Sequence, residues 1–137
     1  DGGVRNSNDK VKGSLVLTPN KKTYAAGDMV EITVSGKGLH YVNGLSFALP
    51  YSTDEFEYVG TELLNMKDMV NLTYDRLHTN GQKELFPTFV NRGNNFLLDE
   101  GDNNLFVIKF KAKKAGKFNL KAKDGMLVDR NLGTVKF

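Results

Sequence analysis

Met29-Val30-Glu31-Ile32-Thr33-Val34-Ser35 alternates without a fault: Val30, Ile32 and Val34 share one side of an extended chain, and Glu31, Thr33 and Ser35 share the other. Successive side chains on a strand point to opposite faces, so this stretch predicts a half-buried strand with one apolar face. The same parity recurs downstream. Leu45, Phe47, Leu49 and Tyr51 face one way and Ser46 and Ala48 the other, while Phe106, Ile108, Phe110 and Ala112 alternate with Val107, Lys109, Lys111 and Lys113. Shorter runs at Ser14–Thr18, Glu57–Thr61, Met69–Leu77, Lys83–Asn91, Met126–Asp129 and Thr134–Phe137, with Phe118, Leu120 and Ala122, bring the set to about nine or ten strands. Asn80-Gly81 reads as a tight hairpin turn, because primed turns need positive φ at both central residues. Ala115-Gly116 and Asp124-Gly125 read as further turns, and Asp54–Phe56 as one turn of helix. No long helical period competes. The expected fold is all-β: a two-sheet antiparallel β-sandwich of jelly-roll or Greek-key topology with about nine strands, each sheet hiding one apolar face.

The chain has 137 residues, 39% of them hydrophobic and 26% charged, which is one domain with room for a core of its own. Nineteen Lys and Arg against sixteen Asp and Glu leave a net charge of +3, too small and too dispersed for a nucleic-acid partner. The absence of cysteine excludes a disulfide framework, a thiolate metal site and a cysteine nucleophile. No apolar run approaches the roughly 18 residues of a membrane span. Residues 1–12, DGGVRNSNDKVK, are polar and rich in Gly and Asn; they read as a linker remnant, leaving residues 13–137 as the folded module.

Catalysis needs convergent polar groups, and little here supplies them. His40 and His78 are the only histidines, both in predicted connections, where an exposed imidazole is the simpler reading. No GxSxG elbow, HExxH helix or phosphate-cradling loop is present. Asp54, Glu55 and Glu57, and Asp99, Glu100 and Asp102, could offer the carboxylate pair of a glycosidase, but turns favour such residues for solvation and local capping. Asp99–Asn104 offers hard oxygen ligands without the spacing of a calcium loop, so no metal is assigned. The seven lysines between Lys109 and Lys123 mostly alternate with apolar residues and read as a solvated sheet face. Sugar stacking on exposed Tyr24, Tyr41, Tyr58 or Tyr74 is the alternative binding chemistry, weakened by the absence of tryptophan.

Several segments together resemble one family, the cohesin-like modules of secreted bacterial carbohydrate-active enzymes, especially those of multimodular glycoside hydrolases of Gram-positive bacteria. Ala25-Ala26-Gly27-Asp28 before the alternating strand is similar to the family's opening. Val42-Asn43-Gly44-Leu45-Ser46-Phe47-Ala48-Leu49-Pro50-Tyr51, followed by Phe56-Glu57-Tyr58-Val59, resembles its strand, turn and returning strand; Leu105–Ala112 and Gly125–Asp129 are similar to its late strands. Two positions depart: Ser52 stands where the family usually has Asp, and Pro50 where a ladder donor is normal. Pro50 would mark where the third strand leaves the sheet.

The resemblance implies a non-catalytic module with no cofactor of its own, monomeric in isolation, secreted or displayed at the cell surface as part of a larger protein. Its implied partner is a dockerin-type helical module, which carries the calcium. A carbohydrate-binding module or a passive immunoglobulin-like spacer are the alternatives. In the family the partner meets the third, fifth, sixth and eighth strands, taken here as Leu45–Tyr51, Met69–Leu77, Lys83–Asn91 and Leu105–Lys113. The implied partner-binding residues are Ser46, Ala48, Leu72, Tyr74, Val107, Lys109 and Lys111. The fifth strand has two registers: Leu72 and Tyr74 outward, or Asn71, Thr73 and Asp75 outward.

Overall fold

In the computed structural model, residues 10–66, 68–77, 82–93 and 101–137 are described, and every regular element among them is a strand. In chain order these are β1 (Lys12–Pro19), β2 (Thr23–Tyr24), β3 (Met29–His40), β4 (Gly44–Ser52), β5 (Phe56–Leu63), β6 (Met69–Asn71) and β7 (Tyr74–Leu77). There follow β8 (Gln82–Phe86), β9 (Thr88–Asn91), β10 (Gly101–Ala112), β11 (Gly116–Lys117), β12 (Lys123–Val128) and β13 (Thr134–Lys136). The count exceeds the expected nine because two long strands are each split in two and because two-residue strands, β2 and β11, pair with each other. Met69–Leu77 is interrupted between Asn71 and Tyr74, and Lys83–Asn91 breaks at Pro87, which has no N–H for a ladder.

The strands form two facing antiparallel sheets. One has the order β1-β3-β10-β5; the other runs β13-β12-β4-β8-β7, with β9 also pairing β4 and β6 pairing β9. A small β2–β11 ribbon stands apart. Val30, Ile32 and Val34 of β3 and Phe106, Ile108 and Phe110 of β10 meet Leu45, Phe47, Leu49, Leu85, Phe89 and Leu127 of the second sheet, all buried. Phe106 packs on Phe89 with ring centroids 4.7 Å apart, and Phe110 on Tyr51 at 4.9 Å. Each such side chain contributes about 1.5–3 kcal/mol when withdrawn from water, so the parity seen in the sequence is what holds the two sheets together. The core reaches back to Val11, two residues before the boundary expected from composition: its side chain is buried and its N–H donates to Asp129 Oδ2 at 3.3 Å.

Several local expectations are corrected. Asp54–Phe56 is not a helical turn; Thr53–Glu55 form a turn closed by Glu55 N–H to Ser52 O, and Phe56 opens β5. Phe118, Leu120 and Ala122 turn toward the core but join no ladder. Asp124-Gly125 makes a bulge inside β12 instead of a turn: the register shifts between Lys123 and Met126, with Asp124 at φ 55°. Gly125 supplies space, since a Cβ there would lie 2.4 Å from the Phe137 ring. On the opposite sheet, β5 bulges at Val59, because Lys109 pairs Gly60 while the next residue, Phe110, pairs Tyr58. Pro50 does not end its strand. β4 continues to Ser52 along β8, but β12 begins at Lys123, opposite Ala48, so the other flank of β4 is bare beside Pro50. Asn80-Gly81, His78, Asp99 and Glu100 lie outside the described residues. The strands flanking the first of these, β7 and β8, pair antiparallel as the hairpin reading expects.

Candidate partner-binding face

Directly paired residues of neighbouring strands point to the same side of a sheet, so the ladder decides what the second sheet turns outward. Leu45, Phe47, Leu49 and Tyr51 are buried, which puts Ser46, Ala48 and Pro50 of β4 on the outer side. Ser46 pairs Thr88 of β9 and Met126 of β12, Gly44 pairs Val90 and Val128, and Ala48 pairs Lys123. One strand further out, Phe86 of β8 pairs Tyr74 of β7, and Val90 pairs Val70 of β6. The centre of this face is therefore small and apolar or hydroxyl-bearing: Ala48, Ser46, Thr88, Val90, Met126 and Val128.

Two shallow depressions mark it. One is lined by Ser46, Phe47, Ala48, Tyr74, Phe86, Thr88 and Asp124. The other is lined by Asn43–Ser46, Thr88–Val90, Val128–Arg130 and Leu132. They share Ser46 and Thr88, so they are continuous. Tyr74 lies stacked on Phe86, ring centroids 4.8 Å apart and 15° from parallel, and remains 53% exposed. Leu72 is 51% exposed.

The sequence leaves the register of the fifth strand open, and a partly buried polar contact closes it. Tyr51 Oη donates to Asp75 Oδ2 at 2.7 Å, and Lys83 Nζ reaches the same oxygen at 3.2 Å. Asp75 is thus drawn inward under β8, and its neighbours Tyr74 and Arg76 are turned out. Burial, reinforced by the Asp75 carboxylate, pushes the Tyr51 phenol far above its ordinary pKa, so it stays a donor. The other carboxylate oxygen, Oδ1, is buried with no hydrogen-bond partner among the described residues, so this arrangement holds β7 at some energetic cost.

Ala48 faces outward yet is only 2% exposed. Glu84 of β8 and Lys123 of β12 stand on either side of β4, and their ion pair, 2.9 Å long, spans it beside Ala48. The pair raises the Lys123 ammonium above its usual pKa, chiefly through the hydrogen bond to Glu84. Arg76, Lys123, Lys136 and Arg130 against Glu84 and Asp124 give the rim an excess of positive charge.

Val107, Lys109 and Lys111 point outward, as their parity requires, but from the wrong sheet. β10 lies between β3 and β5, so these three occupy the far side of the sandwich from Ser46, Ala48, Leu72 and Tyr74. Parity tells which residues of a strand share a side and is silent on which sheet the strand joins. With Phe118–Ala122 outside the ladders, Leu105–Lys113 counts as the seventh long strand, and β12 is the eighth. Met126 and Val128 take the places assigned to Val107 and Lys109. Their run, Met126–Asp129, reads as a strand in the sequence, but it becomes the eighth only because Phe118–Ala122 joins no ladder. Among the described residues, no group of His, Asp and Glu is arranged to hold a metal ion. Asp102, at the suspected oxygen-rich segment, accepts from Gly38 N–H and pairs with Lys37, while Asn103 and Asn104 bond to Asn65.

No family model and no curated protein matches the sequence. Solved structures do match its shape. The sixth cohesin of Acetivibrio cellulolyticus scaffoldin B, in complex with a Cel5 dockerin variant, aligns with 89% of this chain and 91% of its own at a TM-score of 0.61 and 14% identity. The type II cohesin A11 from Bacteroides cellulosolvens covers 90% and 91%, with a TM-score of 0.65 and 14% identity. A non-cellulosomal cohesin from the archaeon Archaeoglobus fulgidus covers 89% and 83%, with a TM-score of 0.60 and 14% identity. The fold resembled in the sequence is thus the fold observed: this chain is built as a cohesin-type β-sandwich.

Proposed function

We propose that the chain is a non-catalytic recognition module that binds a dockerin-type helical module across the outer face of β12, β4, β8, β9 and β7. The observation that carries this reading is the face itself. Its centre is small, apolar or hydroxylic, an exposed ring pair lies at one side, and apart from the Glu84–Lys123 pair that bridges β4 the charge lies toward the rim, a distribution that suits a protein–protein contact. A solved cohesin of the same fold holds a dockerin, which supports the choice of partner. Calcium then belongs to the partner, and the module itself needs no cofactor. A module of this kind would be secreted or surface-displayed, monomeric alone, and would link enzymes such as glycoside hydrolases into complexes.

Calorimetric titration with calcium-loaded dockerin modules from the same organism tests it, with a glycan array run in parallel. Saturable, equimolar binding of a dockerin is expected. Binding of a sugar and of no dockerin would transfer the Tyr74–Phe86 pair to the carbohydrate-stacking reading.

A further inference from the structure

Leu132 combines two unfavourable features that nothing inside the fold rewards. It is 83% exposed, and its backbone is left-handed, at φ 67°. A left-handed conformation is strained for any residue with a bulky side chain, and a leucine in water gains nothing from burial. Its neighbours explain how it is held there. Asp129, 4% exposed, accepts from Asn131 N–H at 2.8 Å and Gly133 N–H at 2.9 Å through Oδ1, while its own N–H donates to Gly133 O. Its Oδ2 accepts from Val11 N–H at the start of the opposite sheet. A Cβ on Gly133 would sit 2.5 Å from Oδ2, so the carboxylate can be seated only because residue 133 is glycine. The turn between β12 and β13 is thereby pinned at both sides, and Leu132 is presented rigidly at the edge of the depression that Val90 and Val128 also line.

We propose that Leu132 is a preorganised anchor for the same helical partner, packing against an apolar side chain of that helix as it lies along the two connected depressions. This rests on the dockerin-binding reading and extends it to a loop that the strand pattern does not include. Strain held by an over-determined surround is the signature of a contact residue prepared before its ligand arrives, and such rigidity lowers the entropy lost on binding. The continuity of the depressions through Ser46 and Thr88 ties this anchor to the proposed face.

Leu132→Asn and Leu132→Gly test it, since both residues accept left-handed backbone. Thermal midpoints at or above that of the unaltered chain are expected, together with a loss of affinity of about tenfold or more for a calcium-loaded dockerin. Midpoints several degrees lower in both variants would make Leu132 a structural residue and overturn the proposal. Dockerin binding unchanged within about twofold would overturn it alone. Failure of every dockerin to bind the unaltered chain would overturn it together with the reading on which it rests.

Discussion

The two outer surfaces of the sandwich are made by the same alternation and differ in almost everything else. On the β1-β3-β10-β5 sheet the outward positions of the central strands carry charge of both signs, and the charges answer one another. Lys109 meets Glu62 at 2.8 Å and lies opposite Glu31, while Lys111 is paired across the ladder with Glu57. On the β13-β12-β4-β8-β7 sheet the corresponding positions are Ala48, Ser46, Thr88, Met126 and Val128, crossed at Ala48 by the Glu84–Lys123 pair, and the other charges stand toward the sides. A surface whose charges are already paired and solvated loses on docking what it has gained from water. A surface of methyl and hydroxyl groups loses little, and this difference separates a wall from a contact.

The sharpest way to break the comparison is one large charge on each side. Ala48→Arg is expected to cut dockerin affinity by about 100-fold or more, because the guanidinium must displace the Glu84–Lys123 bridge that covers Ala48 and then projects from the face; the chain stays folded, since a surface ion pair of this kind contributes little to stability. Val107→Arg on the far face is expected to leave affinity within about twofold. Titration calorimetry of the two, with circular dichroism to confirm folding, decides between the faces. Equal losses would refute the assignment. A smaller effect, about tenfold, is expected from Tyr74→Ala, which removes the exposed half of the ring pair.

How the outward register is enforced can be tested through Tyr51. Tyr51→Phe deletes the bond to Asp75 and is expected to lower unfolding free energy by about 1–2 kcal/mol in denaturant titrations at neutral pH. The folded phenol has its pKa raised above that of the unfolded chain, so the stability tied to it is complete below about pH 10 and falls as pH rises beyond. The alkaline decline in denaturation midpoint should therefore be steeper in the unaltered chain than in Tyr51→Phe. The smallest effect belongs to the far face: Lys109→Ala removes an exposed ion pair, and surface pairs of this kind contribute little, so neither binding nor salt dependence should change measurably.

What could be read from residue order divides along the same line. Alternation identified the core, since Val30, Ile32, Val34, Phe47, Phe106 and Phe110 are all buried, and it placed Ser46 and Ala48 on the outer side of β4; it left Tyr74 between two registers, which the Tyr51–Asp75 contact decides. It misplaced Val107, Lys109 and Lys111 because the choice of sheet is made by long-range pairing, which leaves no period in the sequence. Glycine misled in a second way. A glycine ordinarily takes the left-handed position of a turn, and both Asp124-Gly125, which reads as a turn, and Leu132-Gly133 depart from this. In each, the preceding residue takes it, and the glycine is needed for clearance, from the Phe137 ring in one and the Asp129 carboxylate in the other. Close approach between residues distant in the chain cannot be inferred from a dipeptide, so nothing in the residue order marks Leu132.

The bulge at Val59 bears on how such a module survives at high local concentration. β5 is an outermost strand eight residues long, and a straight strand of that length would present an unbroken row of amide and carbonyl groups to any passing chain. The extra residue breaks that row and twists the strand. Deleting it would restore a continuous template for strand addition, so the irregularity acts as a guard against aggregation at this edge.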